Sequence, residues 1–169
     1  MKADILEVLY KKHYSTAIVY TLSLCKNKQI VEDITSEAFL KAYLTFTDLG
    51  MASEFKYWLL RVCKNLWVDY TRKQNRISDV PFEEHEQELS DITDLSSRLI
   101  QNERYRYLYD GILQLPDNYR ELLTLFYFGN CSVKQLAEML GKSEPNIKTT
   151  LFRAREKLKS ILEESGYEF

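Results

Sequence analysis

The residues of this chain best placed to do chemistry lie between Cys131 and Leu162. Five cations (Lys148, Arg153, Arg155, Lys157 and Lys159) sit beside or opposite an apolar stripe of Ile147, Leu151, Ala154, Leu158 and Leu162 at helical spacing. Cations on one face of a helix, anchored by a stripe on the other, can reach phosphates and base edges in a DNA groove. The residues just before them supply the geometry. Ser132 to Leu140 reads as a short amphipathic helix in which Ser132 caps the first turn and Gln135 bonds back to the cap. Gly141 ends it in the left-handed region. Ser143 caps a second helix, with Pro145 in the first turn where a missing N–H costs nothing. Two helices, a tight glycine turn and a basic second helix form the helix-turn-helix pattern. An ordinary helical hairpin with a solvated basic face fits the same pattern.

A second stretch, residues 54–74, interleaves aromatics with cations. Phe55, Trp58, Leu59, Val62, Leu66 and Tyr70 fall on one stripe, expected to be buried. Tyr57, Leu60, Lys64, Trp67 and Thr71 turn away from it, flanked by Arg61, Val68 and Arg72. That mixture suits stacking on unpaired bases while contacting phosphates. It equally suits Tyr57 and Trp67 packing on a neighbouring helix. A third stretch, Ile30 to Phe46, has a core face of Val31, Ile34, Ala38, Phe39 and Ala42. Its opposite face pairs Asp33 and Glu37 with Leu40 and Leu44. A purely solvated face has no use for two leucines. Either a partner's basic amphipathic helix docks there or a third helix of the same domain covers it.

These stretches need elements to hold them, and the composition says which kind. Only five Gly and three Pro in 169 residues, with almost no alternating β-branched runs, point to an all-α chain. Asp4 to Leu24 reads as a first helix, with Leu6, Leu9, Tyr10, His13, Ala17, Tyr20 and Leu24 on one stripe and a turn at Asn27-Lys28. His13 reads as a histidine at the edge of a core rather than a ligand. Ser53 caps the third helix, after a loop from Phe46 to Glu54. Helices resume from Ser97 to Leu115, where Leu-Pro-Asp breaks the chain, and Asp117 is placed to cap Asn118–Phe128.

The net charge of −2 hides an uneven distribution. Residues 1–78 carry 12 Lys and Arg against 8 Asp and Glu, residues 79–103 carry 1 against 8, and residues 104–169 carry 10 against 9. An acidic segment therefore masks a mildly basic first block. It reads as a solvated tether, or as an imitation of nucleic acid inside a basic channel. Cys25, Cys63 and Cys131 suggest neither a disulfide framework nor a metal site, which fits a reducing cytoplasm. No apolar run approaches the roughly 20 residues of a membrane span, and the N-terminus lacks a signal peptide's build. No phosphate-cradling glycine loop, metal-spaced ligands or nucleophile–base pair is evident. The expectation is a non-enzymatic protein without cofactor, metal or small-molecule substrate.

The chain resembles the extracytoplasmic-function group of the σ70 family of bacterial RNA polymerase sigma factors. Val31-Glu-Asp-Ile-Thr-Ser-Glu-Ala-Phe-Leu-Lys-Ala-Tyr43 is similar to the family's region 2.2, which docks on the polymerase clamp helices. Phe55-Lys-Tyr-Trp-Leu through Lys64-Asn-Leu-Trp-Val-Asp-Tyr-Thr-Arg-Lys73 is similar to regions 2.3 and 2.4, which open and read the −10 element. Leu115-Pro-Asp-Asn-Tyr-Arg-Glu, with the helix-turn-helix and Leu151-Phe-Arg-Ala-Arg-Glu-Lys-Leu158, is similar to region 4, which reads the −35 element.

The resemblance implies two helical domains, residues 1–76 and 97–169, joined by an acidic linker at 77–96. It implies a polymerase-binding face of Asp33, Glu37, Leu40 and Leu44. The −10 surface would be Tyr57, Arg61, Lys64, Asn65, Trp67, Asp69, Arg72 and Lys73, with the loop Asp48–Ser53 receiving a flipped base. The −35 surface would be Lys148, Thr149, Phe152, Arg153 and Arg155. Core RNA polymerase (clamp helices and flap), promoter DNA and an anti-sigma factor are the implied partners. Ser36 stands where the family commonly has Gln, and Thr149-Thr150 where Ser-Arg is common. A stand-alone helix-turn-helix repressor and a helical adaptor are the rival classes.

Overall fold

The first apolar stripe becomes α1 (Lys2–Cys25) in a computed structural model that describes residues 2–45, 54–77 and 95–166. The chain divides into two units, Met1–Ile92 and Thr93–Phe169. In the first unit α1 packs against α2 (Lys28–Thr45) and α3 (Phe55–Ile77), which also pack on each other. Two partners explain why α1 is buried on all sides from Ala17 to Ser23, where a single stripe was expected. Tyr10 departs from the expected core: it is 43% exposed, its ring 5.0 Å from Tyr14 and 4.7 Å from Phe39. His13 is buried as expected, its ring 5.7 Å from that of Phe55.

The first turn falls one residue earlier than Asn27-Lys28. Lys26 takes the left-handed conformation with φ 50°, and the Asn27 side chain accepts the amide of Ile30 at 3.2 Å, so Asn27 opens α2. α2 buries Ile30, Val31, Ile34, Thr35, Ala38 and Ala42. Phe39 is only half-buried. In α3 the expected stripe shifts: Leu60, read as facing away from the core, is fully buried, as is Cys63, while Trp58, Val62 and Tyr70 are only half-buried. The buried arc of α3 is wider than one stripe because it meets both α1 and α2. The Ser53 cap, the loop Asp48–Ser53 and residues 78–94 of the acidic segment lie outside the described residues.

The second unit opens with a helical turn, α4 (95–99), so the helical stretch expected from Ser97 to Leu115 starts two residues early and comes in two pieces. Asn102 interrupts it. Its side chain accepts the amide of Tyr105 at 3.3 Å and starts α5 (Glu103–Ile112) afresh. α6 (Asp117–Tyr127) has Pro116 at its N-cap and no side-chain cap, so Asp117 does not cap it as expected. Asp117 instead accepts from the guanidinium of Arg120 at 2.6 Å, and Arg120 also donates to the Leu115 carbonyl at 3.2 Å. Arg120 is 5% exposed, and these bonds offset the cost of burying its charge.

α7 (Val133–Leu140) and α8 (Glu144–Glu164) form the helix-turn-helix. The Ser132 amide donates to Gln135 Oε1 at 2.8 Å, and the Gln135 amide to Ser132 Oγ at 3.2 Å, completing the expected capping box. Gly141 ends α7 at φ 64°, where a β-carbon would be strained. Ser143 accepts the amide of Asn146 at 3.2 Å to start α8. The stripe Ile147, Leu151, Ala154, Leu158 and Leu162 is buried throughout, against α5, α6 and α7. Among the described residues all regular elements are helices.

Candidate nucleic-acid and partner interfaces

With the core faces of α2 occupied, its other face is left to solvent. Asp33 and Glu37 are exposed, Leu40 is 57% exposed and Leu44 69%. Among the described residues no third helix of the unit covers them. Tyr43, 51% exposed, widens the same apolar surface, and it was missed because it flanks the leucine pair instead of continuing its period.

On α3, Arg61, Asn65, Asp69, Arg72 and Lys73 are exposed, and Tyr57, Lys64 and Trp67 are half-buried. Tyr57 and Trp67 both find contacts within α3 itself. Trp67 stacks on Tyr70, with ring centroids 6.1 Å apart and planes 16° from parallel, and the residue is half-buried. Lys56 Nζ lies 4.8 Å from the centre of the Tyr57 ring. Burial pushes the Cys63 thiol up to about 11, so it stays protonated near neutral pH.

The packing of α3 on α2 joins two groups of residues that lie far apart in sequence. Asp33, Glu37 and Lys41 of α2 face Asp69, Tyr70 and Lys73 of α3 across a groove of about 310 Å³. Ile30, Ile34 and Leu66 form its apolar floor. The groove continues past Asp33 and Tyr70 towards Asn27, Gln29 and Gln74. Lys41 and Gln74 were not singled out from sequence, and Tyr70, expected in the buried stripe, is half-buried at the groove instead, since only the α2–α3 pairing gives them common neighbours.

In the second unit Lys148, Thr149, Phe152 and Arg153 project from the face of α8 opposite its buried stripe, Phe152 being 66% exposed. An exposed cation, hydroxyl and aromatic ring near a helix N-terminus are chemically able to meet phosphates, base edges and thymine methyl groups. Arg155 behaves differently. Its guanidinium sits 4.7 Å from the centre of the Phe126 ring of α6, at the edge of the core stripe. Among the described residues, no group of three His, Cys, Asp or Glu could hold a metal ion. Nor is any helix long and apolar enough to cross a membrane.

Comparison with known proteins places both units. The family described as Sigma-70 region 2 matches residues 9–77, and Sigma-70, region 4 matches residues 105–158. The chain is 32% identical over 165 residues to the ECF RNA polymerase sigma factor SigM of Bacillus subtilis (strain 168), covering 92% of this chain and 94% of that protein. It is 28% identical to SigW of the same organism, covering 95% and 88%. Two solved structures share the fold at 19% identity. The first is CnrH in complex with the cytosolic domain of CnrY, with a TM-score of 0.63 over 94% of this chain and 88% of that one. The second is the sigma factor RpoE in complex with the anti-sigma factor NepR from Bartonella quintana, with a TM-score of 0.59 over 96% of each chain.

Proposed function

This chain belongs to the extracytoplasmic-function group of the σ70 family of RNA polymerase sigma factors, and from that premise we propose how its surfaces divide the work of transcription initiation. The α2 face of Asp33, Glu37, Leu40 and Leu44 docks on core polymerase. The leucines supply apolar area, and the carboxylates set orientation and encounter rate. Tyr57, Arg61, Lys64, Asn65, Trp67, Asp69, Arg72 and Lys73 on α3 hold the −10 strand as it unpairs, so that stacking of roughly 1–3 kcal/mol per base offsets the cost of opening the duplex. Lys148, Thr149, Phe152 and Arg153 on α8 read the −35 element. Arg155, held by Phe126, presents a fixed cation to the flanking backbone.

In this reading residues 1–76 and 97–169 are the two promoter-binding domains and 77–96 tethers them. Each DNA surface is small and carries few cations, so neither alone should hold duplex DNA tightly at physiological salt. Polymerase supplies the missing affinity by holding both at promoter spacing, which raises the effective concentration of each. The protein acts in the cytoplasm, has no catalytic centre or cofactor of its own, and is held inactive by an anti-sigma factor, as RpoE was captured with NepR.

The observation that carries this reading is the uncovered α2 face, with Leu40 and Leu44 more than half exposed beside two carboxylates. Run-off transcription with core polymerase, with and without the chain, is the test. Promoter-specific transcripts are expected only when both are present, and Asp33→Ala with Glu37→Ala should reduce them without unfolding the protein. A free chain that binds operator DNA tightly and is indifferent to polymerase would overturn the reading in favour of a repressor.

A further inference from the structure

The first turn of α8 carries a side chain outside the proposed −35 surface. Asn146 is exposed, and the Ser143 cap holds its backbone amide at 3.2 Å, not its side chain. Thr150, one turn on, also lies outside that surface. Its hydroxyl donates to the Asn146 carbonyl at 2.8 Å and lies 3.4 Å from Asn146 Oδ1, a three-centre bond with one short and one long arm. The carboxamide is thereby braced against its own helix. Oδ1 keeps a second lone pair, and among the described residues Nδ2 has no hydrogen-bond partner. Helical spacing sets Asn146 in line with Thr149 and Arg153, away from the buried stripe.

We infer that Asn146 is a specificity-determining residue that reads an adenine in the −35 element, and that Thr150 is the positioning residue that aims it. The inference rests on the assignment of α8 to that element. A recognition helix meets base edges with its N-terminal residues, which is where Asn146 stands. In the major groove adenine presents the N7 acceptor beside the N6 amino donor. A carboxamide matches that pair, with Nδ2 donating to N7 and Oδ1 accepting from N6. Guanine has acceptors at both points, so Oδ1 would face O6 unpaired. Cytosine and thymine each offer one polar group. Thr150 spends its proton on Asn146, so it sets the angle of the carboxamide and reads no base itself.

The test varies one base at a time through the −35 element. Run-off transcription is measured with core polymerase and the full chain. Fluorescence anisotropy follows the same duplexes with the free full chain at low salt, where weak duplex binding can be read. The wild type is expected to favour adenine at one position by about 5- to 150-fold. Asn146→Ala should flatten that position alone, without lowering the melting temperature, because the cap bond is to the backbone amide. Asn146→Asp should move the preference to cytosine, whose N4 amino group donates to a carboxylate. Thr150→Val keeps the shape and removes the hydroxyl, and should cut the adenine preference about threefold. Thr150→Ser should restore it.

If Asn146→Ala lowers every sequence alike, the side chain touches backbone and the inference is overturned. Flattening at a position where the wild type prefers another base overturns it too. An adenine preference untouched by Thr150→Val would remove the brace. If run-off depends on the chain and on the −35 sequence while Asn146→Ala flattens no position, the role of Asn146 alone is lost. If run-off does not depend on the chain, the sigma-factor reading is lost, and the anisotropy arm still decides whether Asn146 reads a base.

Discussion

Replacing both Leu40 and Leu44 by alanine separates docking from folding. Fully burying one leucine is worth about 1.5–3 kcal/mol. At 57% and 69% exposed, the pair still has more than half of that to gain, so a partner covering both would draw about 2–4 kcal/mol from them. Alanine keeps the β-carbon, which trims the loss to about 2–3 kcal/mol, or roughly a 30- to 150-fold weaker Kd. The free protein should not suffer, because neither side chain is in the core and alanine favours a helix at least as well as leucine. The assay is a competition titration against core polymerase, paired with a thermal melt of the free chain. Affinity within threefold of the wild type, with an unchanged melt, would refute the assignment of this face to polymerase. A lowered melting temperature would instead show that the leucines support the fold.

Arg153→Ala should lower run-off transcription from promoters with the matching −35 sequence by about 10-fold, while a pre-opened −10 template is used as well as before. Gly129→Ala should cost about 1–3 kcal/mol, read from the urea midpoint, because its new Cβ would meet the backbone carbonyl of Leu125 at 2.7 Å and a backbone atom cannot swing aside. The N-terminal unit should weaken in acid through His13. Burial, then Lys12 and Lys56, hold that imidazole below its ordinary value of 6.5. Above pH 6.5 the ring is neutral folded or unfolded, and nothing is lost. As pH falls below that value the unfolded chain binds a proton the fold resists, so stability declines. Both tryptophans, Trp58 and Trp67, lie in this unit, so a fluorescence urea midpoint followed against pH reads it, and His13→Phe should flatten the curve.

Local features were the most legible. The capping box of Ser132 and Gln135, the left-handed Gly141 and the α8 stripe depend on residues within a turn or two of each other, and sequence spacing specifies them. Asp117 misled for a local reason too. A carboxylate at a helix start can cap it or can neutralise a nearby cation, and the buried Arg120 claimed it. Asn102 was missed because a polar residue inside a long apolar pattern does not by itself announce a new cap.

From the sequence alone came the all-α class, the family resemblance and the choice of side chains on α2, α3 and α8, because helical period and residue chemistry are properties of neighbours along the chain. Which faces stay open was a matter for tertiary packing. Leu60 was lost to the core and Leu40 kept from it by the placing of α1, α2 and α3 around one another. The same packing set Asp69 across a groove from Asp33 and seated Arg155 over Phe126. No periodicity encodes such meetings, since each depends on how one helix lies against another.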